Sequence, residues 1–237
     1  MGASDLIKFP DADTMAERIA DLICGSLESA ITQHGNGVLA VSGGSTPERL
    51  HNALSARNLP WSKVFIIPVD ERWVSIDHSA SNEAFIQRTL LQGHATNAQL
   101  ISLKTDHKTP AAGLDEVEGR LKPISRAPDA IVFGMGTDGH TASWFPNARG
   151  LAPALDTKNS ARVTAITAIK SDVTGEFVDR MTLTLSYCLS SPTKVLLMQG
   201  GAKAQTFAAA RNNGSHHDMP VRALLENADN LWPCWAP

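Results

Sequence analysis

The chain has 237 residues, of which 43% are hydrophobic, and a formal net charge of −3. That length suits one large α/β domain or two small ones, with ample apolar material for a core. The near-neutral balance argues against a nucleic-acid or polyanion surface, but a small anionic ligand needs only a local cluster of Arg and Lys.

The start, Met1-Gly-Ala-Ser-Asp-Leu6, lacks a basic-then-apolar leader and has Leu where an acylation signal needs Ser or Thr. No apolar run is long enough to span a bilayer, so a soluble, cytoplasmic protein with no membrane or nucleic-acid partner is expected. Asp13 or Thr14 is placed to cap a helix with apolar residues at Met15, Ile19, Leu22, Ile23, Leu27 and Ile31. That spacing is helical, with one core-facing side. Residues 38–41 form a compact apolar run that breaks at Ser42-Gly43-Gly44-Ser45-Thr46-Pro47. Pro47 suits the first turn of a helix, where a missing N–H costs nothing. Residues 64–69 read as a strand running into Asp70-Glu71-Arg72-Trp73, and Ser81 or Asn82 opens a helix through Phe85, Ile86, Leu90 and Leu91. A strand at 100–103 and a helix at 111–121 come next, then a buried strand at 130–133. Further strands are expected at 162–166, 181–185 and 195–198, a helix at 203–210 and an amphipathic segment at 221–225, before the Trp-rich tail 231–235. Residues 147–157 read as a loop. Alternating strands and helices imply an α/β fold, a mostly parallel sheet with helices on both faces. Without a low-complexity linker or strong internal repeat, residues 1–237 read as one domain.

Three loops at strand ends carry the chemistry. In Ser42–Pro47, glycine amides, two hydroxyls and a helix N-terminus together make an anion cradle from Gly43, Gly44, Ser45 and Thr46. The alternative is a tight turn whose Ser or Thr caps the helix. The turn is neither a Walker loop nor a dinucleotide fingerprint. In the second loop Arg72 can grip a phosphate bidentately and Asp70 can orient a polar substrate group. Read alone, that loop is also a solvated turn with an internal ion pair. The third, Gly134-Met-Gly136-Thr-Asp138-Gly139-His140, sets an imidazole and a carboxylate among glycines after a strand. His140 is the candidate general base, with Asp138 fixing its tautomer and Gly136 giving close backbone approach. Lys203, at a helix start, is electrostatically misplaced unless an anion joins it. Arg180, opening a strand, is either a further phosphate contact or a structural bridge to a carboxylate.

Other candidates are weaker. His216 and His217 lie in a polar turn without metal-ligand spacing, so no metal is expected. Cys24, Cys188 and Cys234 form no Cys-x-x-Cys pair, which points to reduced thiols. No serine occupies a Gly-x-Ser-x-Gly elbow.

Taken in order, Ser42-Gly-Gly-Ser-Thr-Pro47, Asp70-Glu-Arg-Trp-Val74, Ser81-Asn82, Gly134–Ser143 with Phe145-Pro146, Arg180-Met-Thr-Leu-Thr184 and Gly200-x-x-Lys203 resemble the 6-phosphogluconolactonases. The resemblance spans nearly the whole chain. It implies a Rossmann-like α/β sheet and hydrolysis of 6-phospho-D-glucono-1,5-lactone without a cofactor, by a monomer or small homo-oligomer. It makes His140 the base and sets Arg72 and Lys203 at anion-holding positions. Trp144 stands where many members have leucine, which would reshape the pocket wall, and Gly175–Asp179 replaces a more proline-rich approach to Arg180. The related deaminases continue their glycine-histidine turn with Ile-Ala-Phe-Asn-Glu, whose acid assists ring opening. Here the sequence is Thr-Ala-Ser-Trp-Phe-Pro. A sugar-phosphate isomerase or deaminase, and a non-catalytic sugar-phosphate sensor, are the alternatives.

Overall fold

A computed structural model of the chain describes residues 5–237; the expected lack of a leader rests mostly on Met1 to Ser4, which lie outside the described residues. The elements run β1 (Ile7–Lys8), α1 (Ala12–His34), β2 (Gly37–Val41), α2 (Ser45–Ser55), β3 (Val64–Pro68), β4 (Asp70–Arg72), α3 (Asn82–Thr89), β5 (Gln99–Leu100) and α4 (Leu114–Leu121). They continue with β6 (Ala130–Gly134), α5 (Leu151–Leu155), β7 (Val163–Thr167), β8 (Asp179–Leu183), α6 (Leu185–Leu189), β9 (Thr193–Gln199), α7 (Gly201–Ala210), α8 (Val221–Asn227) and β10 (Leu231–Ala236).

Seven strands form one parallel sheet in the order β1-β10-β9-β6-β2-β3-β5. Alternate residues of each central strand feed opposite cores. Leu39, Val41, Val132 and Val195 pack toward α1, α2 and α3 with Ile23, Leu27, Leu50 and Ile86. Val38, Ala40, Phe133 and Leu196 pack toward the other side with Trp144, Leu183, Phe207 and Leu224. Two-sided burial explains why these strands read as continuous apolar runs with no polar alternation. Strand order reverses between β2 and β6, and open α/β sheets bind ligands in the crevice such a reversal leaves at the carboxyl ends.

Several expectations needed revision. Asp11, not Asp13 or Thr14, caps α1, accepting from the Thr14 amide at 2.7 Å. Asp13 instead pairs with Arg49, while the helix closes on Gly35 in the left-handed conformation (φ 80), where glycine has no steric cost. The strands expected at 162–166 and 181–185 form, shifted by one or two residues, but outside the parallel sheet. They are β7 and β8 of a separate antiparallel sheet in the order β4-β8-β7. The Asp70–Arg72 segment is its third strand, not a solvated turn, and both Asp70 and Glu71 are buried. The 147–157 stretch contains the short helix α5. The Trp-rich tail is β10, inserted between β9 and β1. Its pairing is non-local and so leaves no short-range signal. Among the described residues, no helix is long and apolar enough to cross a membrane.

Candidate active site

Each of the three loops leaves a strand at the same edge. β2 runs into the 42–46 turn and α2. The N-cap of that helix is Gly44, with φ 103 and no side-chain cap bond. The Ser and Thr therefore do not cap it. The first-turn amides are ones no helix can satisfy internally, and Gly43, Gly44, Ser45 and Thr46 line a cavity. α7 starts beside it, also from a glycine cap (Gly200, φ 84). Its third residue, Lys203, sends Nζ to Thr46 Oγ1 at 3.3 Å. No carboxylate pairs with Lys203 among the described residues, and burial alone pushes its ammonium below the ordinary lysine value. Two helix N-termini and a half-buried, unneutralised cation thus converge.

β6 runs into the 134–140 turn, which folds on itself. Gly136 N–H donates to His140 O at 2.9 Å and Gly139 N–H to Gly136 O at 3.1 Å. His140 N–H donates to Asp138 Oδ1 at 3.1 Å, and Gly134 N–H to Ser42 Oγ at 3.0 Å. These four amides are engaged, so they are not the donors for an oxyanion. The turn presents side chains instead. His140 Nδ1 lies 2.6 Å from Asp138 Oδ1, so the proton belongs on Nδ1 and the lone pair on Nε2. Burial tends to raise the Asp138 carboxyl, but its hydrogen bond and charge interaction with His140 outweigh that and hold it below the ordinary value. The imidazole lies over Phe145, ring centroids 4.3 Å apart and 31° between planes. Gly136 is obligatory here, because a Cβ would fall 2.2 Å from His140 Nδ1 and 2.6 Å from Asp138 Oδ1. Past the turn, Ala142 takes a left-handed conformation (φ 49), a small strain held by Trp144 N–H donating to Thr141 O at 3.0 Å.

The antiparallel sheet supplies the third wall. Arg72 on β4 and Arg180 on β8 are direct cross-strand partners, a like-charge pairing that is destabilising by itself. Arg72 donates to Ala80 O at 2.8 Å and Asn82 Oδ1 at 2.9 Å. Asn82 in turn donates to Asp70 O at 2.8 Å and Asp70 Oδ1 at 3.2 Å, while Ser143 Oγ donates to Asp70 Oδ2 at 2.5 Å. Asp70 thus lines the cavity with both oxygens engaged by protein. It ties the His140 loop to Asn82. Glu71 lies behind, accepting the amides of Arg72, Asn82 and Glu83 and the Ser81 hydroxyl. Burial raises its carboxyl against those bonds. Arg180 is almost fully buried; burial drives its guanidinium down to about 10, against the attraction of Asp70.

The cavity enclosed by these walls holds about 250 Å³. Gly43, Gly44, Ser45, Thr46, Asp70, Arg72, Gly136, His140, Arg180 and Lys203 all line it, with Asp138 standing behind His140. His140 is reachable, its side chain 20% exposed. Ser42, Asn82 and Phe145 line it too, and sequence reasoning assigned them no part in it. Asn82 was read only as a helix opener, although its place ten residues after Arg72 on a helix returning to the same edge was the available signal. Trp144 does not shape the wall. It is fully buried, with Nε1–H bonded to Leu183 O at 2.9 Å.

Residues 10–232 match the model of the family described as glucosamine-6-phosphate isomerases/6-phosphogluconolactonase. The chain belongs to that family. It is 36% identical over 230 residues to a 6-phosphogluconolactonase of Rhizobium meliloti, covering 97% of both chains. It is likewise 36% identical over 218 residues to one of Pseudomonas aeruginosa, covering 90% of this chain and 88% of that one. Among solved structures, a 6-phosphogluconolactonase from Shewanella baltica superposes with a TM-score of 0.91 at 34% identity, over 99% of this chain and 98% of its own.

Proposed function

We propose that this protein hydrolyses 6-phospho-D-glucono-1,5-lactone to 6-phosphogluconate, with His140 as general base. One observation carries the reading: a reachable His140–Asp138 pair shares a small cavity with Arg72 and the unneutralised Lys203. Membership of the family and the names of its 6-phosphogluconolactonase relatives support the same substrate.

The phosphate docks on the 43–46 amides with Lys203 and Arg72. This remote anchor turns binding energy into orientation of the lactone ring. His140 Nε2 takes a proton from water as its oxygen attacks C1, and Asp138 steadies the imidazolium. The tetrahedral oxyanion then collapses, breaking the bond from C1 to the ring oxygen, and the imidazolium returns its proton to that leaving oxygen. One water is added and the base is regenerated. With the amides of Gly134, Gly136, Gly139 and His140 engaged, oxyanion stabilisation falls to other donors around the cavity.

The direct test supplies fresh 6-phosphogluconolactone, glucosamine 6-phosphate and ribose 5-phosphate in parallel. Acid release above the spontaneous rate from the lactone alone is expected. Ammonia release or isomerisation overturns the reading in favour of the related chemistry, and no turnover of any favours a sensor. Arg72→Ala should raise KM for the phosphorylated lactone by about tenfold to a hundredfold, the scale of one charge-assisted pair. An equal effect on unphosphorylated lactone removes Arg72 from the anchor.

A further inference from the structure

Arg180 was expected either to join the phosphate anchor or to bridge to a carboxylate. Its donors point largely elsewhere. Nε donates to Phe177 O at 2.6 Å and one terminal nitrogen to Thr174 O at 3.0 Å, while the other stands 3.9 Å from Asp70 Oδ2. The guanidinium carbon lies 5.3 Å from the centre of the Phe145 ring, the same ring that packs against His140.

The two carbonyls belong to a loop closed at its neck by Ala168 N–H donating to Val178 O at 2.9 Å. Inside it, Ser171 N–H donates to Thr174 Oγ1 at 2.8 Å and Gly175 N–H to Ser171 O at 2.9 Å. It is therefore a compact, internally bonded loop. Val173 from this loop lines the cavity, although it is 43% exposed. Ile169 and Phe177 are also exposed apolar residues. Phe177 meets His78 of the 73–81 loop edge-on at 4.8 Å, and Arg72 grips that opposite loop at Ala80 O. So Arg180 holds two carbonyls of one loop and Arg72 one carbonyl of the other, and the loops touch through Phe177 and His78.

We propose that Arg180 is a positioning residue that latches the 168–178 loop across the cavity mouth and, through Phe145, braces the His140 imidazole. The two divergent carbonyls are met by a planar fork, which lysine, with its three donors on one nitrogen, does not reproduce. The kinetic readout rests on the lactonase reading; the structural readout does not.

The experiment compares wild type with Arg180→Gln and Arg180→Lys. Both variants should lose at least about tenfold in kcat, the scale of a modest misplacement of a catalytic group. Their affinity for inorganic phosphate, by calorimetry, should stay within about twofold, because the anchor amides and Lys203 remain. A loss of phosphate affinity that Lys restores, with kcat intact, makes Arg180 a phosphate ligand and overturns the latch. Independently, hydrogen exchange of the Ser171 and Gly175 amides should quicken by at least about tenfold in Arg180→Gln as local opening becomes easier; unchanged exchange overturns the proposal. If Arg180→Gln does not fold, a variant with residues 170–176 replaced by Gly-Gly keeps the arginine and removes the latched loop. It should show the same kcat loss, and full activity would refute the idea. Wild type inactive on the lactone would sink the proposed function and leave the exchange result to decide the latch.

Discussion

The turns after β2 and β6 are neighbours at one sheet edge, each built on glycine, yet they work in opposite ways. The 42–46 turn passes straight into α2 from a glycine cap, so the amides that follow Ser42 are left for a ligand. The 134–140 turn closes on itself, engages the amides of Gly136, Gly139 and His140 internally and projects an imidazole backed by a carboxylate. Ser42 stitches the two together, donating to Val132 O at 2.9 Å and accepting from Gly134 N–H at 3.0 Å. A glycine-rich turn is therefore not one kind of site. The segment downstream of it, a helix or a recoiling loop, decides whether backbone or side chains meet the substrate.

This contrast can be broken by mutation. His140→Ala should cause the largest effect, a fall in kcat of about 10³, within the range for general-base catalysis, with KM nearly unchanged. Wild-type rates in that variant, corrected for spontaneous hydrolysis, would remove the side-chain role of the second turn.

The glycines sharpen the comparison further. Gly136→Ala places a Cβ 2.2 Å from His140 Nδ1, so the ring must move and kcat should drop by about 10². Gly43→Ala places its Cβ 2.2 Å from Asn82 Oδ1, the acceptor that holds Arg72. It should act mainly on KM, by about tenfold. Matching kcat and KM effects in the two variants would show that the turns do not divide the labour.

The smallest expected effect concerns pH. Burial lowers the Lys203 ammonium below the ordinary lysine value, so its charge is lost as pH rises through that lowered value. Because the folded state disfavours the charged form, Lys203 costs stability at neutral pH, and that cost is relieved on the alkaline side. Affinity for 6-phosphogluconate, by calorimetry, should weaken at a pH below the ordinary lysine value and persist there in Lys203→Arg. An alkaline limb identical in both proteins would show that Lys203 is not the titrating cation.

Much of the fold was legible locally. The continuous apolar runs at 38–41, 130–133 and 195–198 are central parallel strands, each breaking at a glycine turn, and the helix beginning at Ser81-Asn82 carries its own cap, with Ser81 Oγ accepting from the Ala84 amide at 3.1 Å. The antiparallel sheet was not legible, because β4 has only three residues and acquires strand geometry solely by pairing with β8 a hundred positions later. For the same reason the hydrogen-bond partners of Asp70 were not legible. Its partners Ser143 and Asn82 come from distant loops, and only their convergence occupies both of its oxygens.

Local order alone dictated the alternation of strand and helix, the glycine breaks at strand ends and the chemical identity of the groups delivered there, since backbone freedom and side-chain type are properties of short segments. Tertiary structure decided the allocation of those groups. Asp70 meets Ser143 and Asn82, Lys203 is left without a carboxylate among the described residues, and the arginines of β4 and β8 are brought face to face. Hydrogen-bond acceptors and neutralising charges come from segments far apart in the chain, and which donor each one meets is determined only when the sheets pack.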